Sequence, residues 1–185
     1  MQIEKTNIDG VSIIRVDKFP DERGMFMELY SEEKYLAHQL MGKSIQINFS
    51  HSEKSVLRGL HYQIEHSQGK ILQVVSGTIF DVGLDLRRDS LTFGKYFSIE
   101  LNSKDSLQVF FPPGIAHGFC VLSDYADIIY QCDQYYNPSD EYGVLWNDPD
   151  LEIDWPINNP IISNKDQQYE TLVNIPIDKL PVIKT

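Results

Sequence analysis

Only two of the 185 residues are cysteine, Cys120 and Cys132, and both sit inside apolar stretches. A disulfide-stapled secreted scaffold needs more of them, so the pair reads as reduced structural thiols. No apolar run is long enough to cross a bilayer, and the N-terminus lacks a basic-then-apolar leader. A cytoplasmic protein with no membrane partner is expected. Basic residues are scarce: 16 Lys and Arg stand against 27 Asp and Glu, a net charge of −11. That balance argues against a nucleic-acid partner, which needs a basic face. A small anionic ligand stays open, because a few convergent cations in a pocket outweigh distant, screened charge.

What is present points to a β-protein. Ten tyrosines, nine phenylalanines and a 42% hydrophobic content suit a globular chain. At this length one domain over residues 1–185 is expected. Short strand-like runs recur between turn signals: Val11–Val16, Gly24–Tyr30, Ser44–Phe49, Val56–His61, Ile71–Val75, Thr78–Leu86, Tyr96–Leu101, Leu107–Phe111, Gly118–Leu122 and Asp127–Gln131. The clearest alternation sets Phe80, Val82, Leu84 and Leu86 against Asp81, Gly83 and Asp85. Ser76-Gly77 between two runs predicts a hairpin. So many short strands predict a sandwich or barrel. One helix is expected from Glu32 to Leu40, capped by Ser31 and ended by Gly42. After Trp146 five prolines break up the chain, which predicts a segment that wraps the barrel and donates a few residues to it.

The stretch from Gln46 to Gln63 places amides, a guanidinium and an imidazole on strand positions. Buried polar groups without partners cost free energy, so such strands are expected to line a wet pocket. Arg58 and His61 are three residues apart and would face opposite sides of a regular strand. An irregularity near Gly59 is therefore predicted. His117 lies in Pro113-Gly114-Ile115-Ala116-His117, which resembles the second signature of the cupin barrels. Metal-binding cupins supply His-x-His elsewhere, but here the sequence is His61-Tyr62-Gln63, and glutamine is a weak ligand. Glu65 or His66 could complete a metal site; none is expected.

Longer motifs go further. Asp21-Glu22-Arg23-Gly24-Met25-Phe26-Met27-Glu28 is followed by Gln46-x-Asn48-x-Ser50-x-Ser52 and Val56-Leu57-Arg58-Gly59-Leu60-His61-Tyr62-Gln63. Then come Asp81 to Arg87 with Ser90-x-Thr92-Phe93-Gly94, Pro113 to Phe119, and Tyr130 to Tyr136-Asn137-Pro138. Glu141-x-Gly143, Trp146-Asn147-Asp148-Pro149, Trp155-Pro156 and Ser163-x-Lys165-Asp166 complete the series. In content and order these motifs resemble the dTDP-4-dehydrorhamnose 3,5-epimerase family from about residue 2 to Asp166. The resemblance implies an all-β, cupin-type jelly-roll barrel with a few short helices. It also implies a homodimer that exchanges strand segments, and a dTDP-linked 4-keto-6-deoxy sugar inverted at carbons 3 and 5 without metal or organic cofactor.

By the same resemblance His61 is the base, Asp166 its carboxylate partner, Tyr130 the acid and Lys70 the cation near the keto oxygen. Arg23, Phe26, Glu28, Gln46, Asn48, Arg58, Lys70, His117, Tyr136, Glu141 and Lys165 are the implied substrate contacts, with Tyr136 stacking on thymine. Alternation alone groups Tyr130 with Ala126 and Ile128, which equally fits a core tyrosine. Spacing alone does not bring Asp166 to His61. This sequence departs from the family at Ile64-Glu65-His66, where two prolines are common, at Ser55 for glycine and at Gln131 for lysine. Rival readings are a single-carbon epimerase, an epimerase of another nucleotide sugar, a non-catalytic sugar-binding cupin and a metal-dependent cupin oxygenase. The tail from 167 to 185 has no reading.

Overall fold

A computed structural model describes residues 1–183. The first strands are β1 (Gln2–Lys5), β2 (Ser12–Arg15), β3 (Lys18–Asp21) and β4 (Gly24–Met27), followed by helix α1 (Glu32–Ala37). Next come β5 (Gln46–Glu53), β6 (Leu57–Gln63), β7 (Lys70–Ser76), β8 (Thr78–Asp85) and β9 (Tyr96–Asn102). The last are β10 (Leu107–Phe111), β11 (Ile115–Val121), β12 (Tyr125–Cys132) and β13 (Glu141–Gly143). All ten expected strands form, and the all-β reading holds. Two antiparallel sheets result, ordered β1-β2-β10-β7-β12-β5 and β13-β6-β11-β8-β9, while β3 and β4 pair only with each other.

The sheets face one another across a shared apolar layer. Leu72, Val74, Val109, Phe111 and Ile128 come from the six-stranded sheet; Ile79, Leu101, Ile115, Phe119 and Val121 come from the five-stranded one. Each such side chain contributes about 1.5–3 kcal/mol on burial. The sheets do not close into one ring, so the jelly roll is a flattened barrel. Ser76-Gly77 is accordingly no hairpin turn. It is a corner that carries the chain from β7 in one sheet to β8 in the other.

The two outer faces are covered differently. Phe80, Val82, Leu84 and Leu86 point outward, beneath Leu151, Trp155, Ile162, Leu172 and Leu180 of the proline-rich segment. The polar side of that alternation, with Asp81 and Asp85, points inward and is fully buried. On the six-stranded sheet Tyr35 of α1 packs with Ile14, Met41, Ile71 and Phe110, and its hydroxyl donates to Gln108 Oε1 at 2.6 Å. The helix is shorter than expected: it ends at Ala37, and the Ser31 side chain makes no capping bond.

The irregularity expected near Gly59 is present. The β6–β11 register pairs His61 with His117 but Arg58 with Phe119, a shift across Gly59. Gly59 has φ +122, and the Gly59–Leu60 peptide is cis. A Cβ on Gly59 would lie 2.4 Å from Gly118 Cα and 2.8 Å from His117 O, against backbone that has no room to yield. Gly59→Ala is therefore expected to lower stability by about 2–5 kcal/mol in urea unfolding. A loss below about 0.5 kcal/mol, the range of an inert surface change, would contradict this close approach.

Candidate active site

Between the sheets lies a cavity of about 330 Å3. Strand alternation on β5 turns Gln46, Asn48 and Ser50 into it, with Ile47 and Phe49 facing out. Lys70 of β7 and Tyr130 of β12 complete the wall from the six-stranded sheet. The opposite wall carries Arg58 and His61 of β6 with His117 and Phe119 of β11. Arg58 and His61 thus share the cavity despite their spacing, because the register shifts between them.

His61 is held by a buried carboxylate. Its Nε2 lies 2.9 Å from Asp166 Oδ1, although 105 positions separate them in sequence. Asp166 Oδ2 accepts the Gly59 N–H at 3.2 Å, and Ser163 Oγ accepts the Asp166 N–H at 3.0 Å. Burial pushes the Asp166 carboxyl up. The His61 hydrogen bond and charge, with the Gly59 N–H, outweigh burial and leave it below the ordinary aspartate value. A carboxylate so held orients the imidazole and fixes its tautomer.

Tyr130 faces the same cavity from the other sheet, opposite Asn48 and Leu72 in register. Burial is the main cause raising its phenol above the ordinary value, so it is a protonated donor at neutral pH. The Lys70 ammonium loses hydration in the pocket wall, which lowers its pKa, and no carboxylate pairs with it among the described residues. Cys132 lies beside it; burial drives that thiol up to about 11. His117 Nε2 is 2.7 Å from Asp81 Oδ1, a second imidazole–carboxylate pair.

At the rim, Tyr136 N–H donates to Gln46 Oε1 at 2.9 Å and Tyr136 OH to Glu141 Oε2 at 3.0 Å. Glu141 also forms an ion pair with Lys165. Arg58 Nε donates to Ser52 Oγ at 3.0 Å. Gln63 is not aimed into the cavity: its amide donates to His66 O and its oxygen accepts from Asn137 N. His66 is likewise drawn away. Asp140 accepts the backbone N–H groups of Ile64, Glu65 and His66, and its Oδ2 lies 3.2 Å from His66 Nδ1. This carboxylate shapes the loop where the family commonly has prolines. Ser55 occupies a left-handed position, φ 64, where glycine is common.

Three expected contacts are not brought together with the rest. Arg23, Phe26 and Glu28 belong to or follow the β3–β4 hairpin, which pairs with no other strand. Arg23 is 83% exposed and pairs with Asp21, Phe26 is exposed, and Glu28 holds Lys34 at 2.7 Å. Among the described residues of one chain nothing folds this hairpin over the cavity. Conversely, Gln68 and Phe119 line the cavity without having been named as site residues. Gln68 sits in an irregular loop with no period to read, and Phe119 looked like ordinary core.

The cavity thus carries an imidazole–carboxylate pair on one wall and a phenol and an amine on the other. A family profile described as dTDP-4-dehydrorhamnose 3,5-epimerase matches residues 5–174. The Shigella flexneri dTDP-4-dehydrorhamnose 3,5-epimerase is 42% identical over 94% of this chain and 97% of its own length. The Legionella pneumophila enzyme RmlC, solved with dTDP-4-keto-L-rhamnose, superposes with a TM-score of 0.95 at 40% identity over 100% of this chain and 99% of its own. ChmJ of Streptomyces bikiniensis, a 3′-monoepimerase solved with dTDP-quinovose, gives 0.90 at 30% identity over 96% and 91%. The chain belongs to the dTDP-4-dehydrorhamnose 3,5-epimerase family.

The Asp166 geometry has a pH signature. Its folded-state pKa is depressed, so its contribution is complete above the unfolded value, about 3.9, and is lost as pH falls through the folded one. Asp166→Asn is expected to lose about 1–3 kcal/mol of unfolding free energy at neutral pH. That deficit should shrink as denaturation is repeated toward about pH 3. A deficit constant with pH would contradict an ionised, partnered carboxylate.

Proposed function

We propose that this chain epimerises dTDP-4-dehydro-6-deoxy-D-glucose at carbons 3 and 5, giving dTDP-4-dehydro-L-rhamnose. The observation that carries the reading is that His61 and Tyr130 enter one cavity from opposite sheets. Both carbons flank the C4 ketone, so loss of either proton yields an enolate. His61 removes the proton from one face of the sugar while Asp166 steadies the resulting imidazolium. Lys70 is held out of water with no carboxylate paired to it among the described residues, and its protonated form is the natural counter-charge of the developing C4 oxyanion. Tyr130 then delivers its phenolic proton to the opposite face of the same carbon, which inverts it. Exchange with solvent restores the neutral imidazole and the phenol before the second carbon reacts.

The substrate's other parts find matching chemistry. Arg58 and Lys165 suit a diphosphate, and Tyr136, half-exposed at the rim, offers a face for thymine. Arg23, Phe26 and Glu28 join this set if a second copy contributes its hairpin. Support for a homodimer lies on the six-stranded sheet, whose outer face exposes Ile47, Phe49 and Val75 beside the edge strand β5. Gln73 and Gln131 have buried side-chain oxygens on that same face with no hydrogen-bond partner among the described residues. Such a patch on an open edge is a pairing surface. The buried, unpaired thiols Cys120 and Cys132 suit a reducing cytoplasm.

The chemistry is tested with the 4-keto sugar nucleotide in deuterated water, followed by proton NMR. Deuterium is expected at both carbons, and His61→Ala abolishes it at both. Tyr130→Phe should retain exchange while inversion falls. Deuterium at one carbon alone would replace the double epimerase with the single-carbon reading; full product from Tyr130→Phe would remove the acid role.

The assembly is tested separately by sedimentation. The parent is expected as a dimer at micromolar concentration and Phe49→Asp as a folded monomer with depressed activity. A monomeric parent would refute the shared site.

A further inference from the structure

We infer that Tyr169 is a positioning residue for the His61 imidazole, filling the space that Gly143 leaves open beside it. The inference rests on His61 being the base. Tyr169 lies past the last motif read in the sequence but inside the span 5–174 that the family profile matches, and it directly follows the 3-10 turn Asp166–Gln168. The backbone there is anchored: Leu145 N–H donates to Glu170 O at 2.9 Å.

In the β13–β6 pairing Gly143 stands directly opposite His61. Residues so paired carry neighbouring side chains on one face of a sheet, but Gly143 has none. A Cβ built on Gly143 would lie 2.2 Å from Tyr169 Cε2 and 2.4 Å from both Cδ2 and Cζ. The tyrosine ring therefore occupies the volume that a cross-strand neighbour of His61 would normally use. Its centroid is 5.8 Å from that of His61, at an interplanar angle of 72°. This is the edge-on arrangement that aromatic pairs favour.

The two contacts divide the work. Asp166 fixes one ring atom, Nε2, and one hydrogen bond leaves the imidazole free to tilt about it. The terminal torsion of histidine is intrinsically broad, so a second contact is needed to set the plane. Both contacts come from one short turn and arrive together. The ring, not the hydroxyl, is the useful part of Tyr169. Its OH is buried without a hydrogen-bond partner among the described residues and is no part of the cavity lining. Burial first, and the Asp166 charge second, push this phenol well above its ordinary value and keep it neutral.

The test combines steady-state kinetics with NMR of the histidine side chains, the His61 signals being assigned by their loss in His61→Ala. Tyr169→Phe is expected to stay within about twofold of the parent. Tyr169→Ala should lower kcat about tenfold to a hundredfold with KM nearly unchanged, and alter the His61 tautomer signals. Gly143→Ala should lower kcat in the parent, because its Cβ displaces the ring, and should add nothing in the Tyr169→Ala background. A parental kcat in Tyr169→Ala overturns the inference. So does an equal loss in Tyr169→Phe, which would assign the effect to the hydroxyl, or additive losses from Gly143 and Tyr169, which would assign it to general packing. If Tyr169→Ala fails to fold, Tyr169→Leu, which keeps bulk without a flat edge, is read the same way. If His61→Ala proves active, the base assignment falls, and the His61 signals in the Tyr169 variants alone then decide the positioning.

Discussion

One carboxylate, that of Asp166, accepts from the Gly59 backbone and meets the His61 ring, joining the C-terminal segment to β6 where that strand is least regular. A buried carboxylate without such partners would cost several kcal/mol or take up a proton. Its position is thus possible only because the chain after β13 is held against the outer sheet face. Trp155 packs on Phe80 and donates its indole N–H to Trp146 O, and Asp148 accepts the Leu172 N–H at 2.6 Å. The apolar wrap is what delivers a charge to the site, so packing on one side of the sheet sets the chemistry on the other.

The site also solves an electrostatic problem that the net charge of −11 poses for an anionic ligand. Its carboxylates are mostly occupied: Asp166 with His61, Asp81 with His117, Glu141 with Lys165 and Tyr136. Among the described residues Lys70 has no such counter-charge, and the Arg58 guanidinium donates to two neutral oxygens, Ser52 Oγ and His51 O. Local cations therefore face the cavity while the acidic excess stays outside, where solvent and salt screen it within about 8–10 Å.

Much of this was legible in the sequence, and the parts that were not share a cause. Strands were readable because a two-residue period leaves a mark wherever a sheet has two different faces. The Gly59 irregularity followed from requiring two polar groups three residues apart to share a pocket. Ser76-Gly77 misled because a tight turn and a corner between sheets need the same residues; only long-range pairing tells them apart. The β8 alternation was read correctly, yet its apolar face turned out to be the outer one, since nothing local says that a distant segment covers it. Spacing alone did not bring Asp166 to His61, a pairing that only the family resemblance supplied, and Tyr169 had no reading at all, for the same reason. Arg23, Phe26 and Glu28 stand apart from the cavity in one chain for a different reason: a motif match carries residues without saying from which copy of the chain they would act.

In the proposed reaction C3 and C5 lie on either side of C4, and a single base on one wall must reach both. A sugar held rigidly would present only one of them to His61. Double inversion therefore requires the ring to shift between two settings while its ketone stays near Lys70 and its nucleotide stays anchored by Arg58, Tyr136 and Lys165. The catalytic groups, in contrast, gain by immobility, because small errors in proton-transfer geometry lower rate steeply. A fixed imidazole, clamped by Asp166 and Tyr169, and a substrate tethered at its far end form the arrangement that meets both demands.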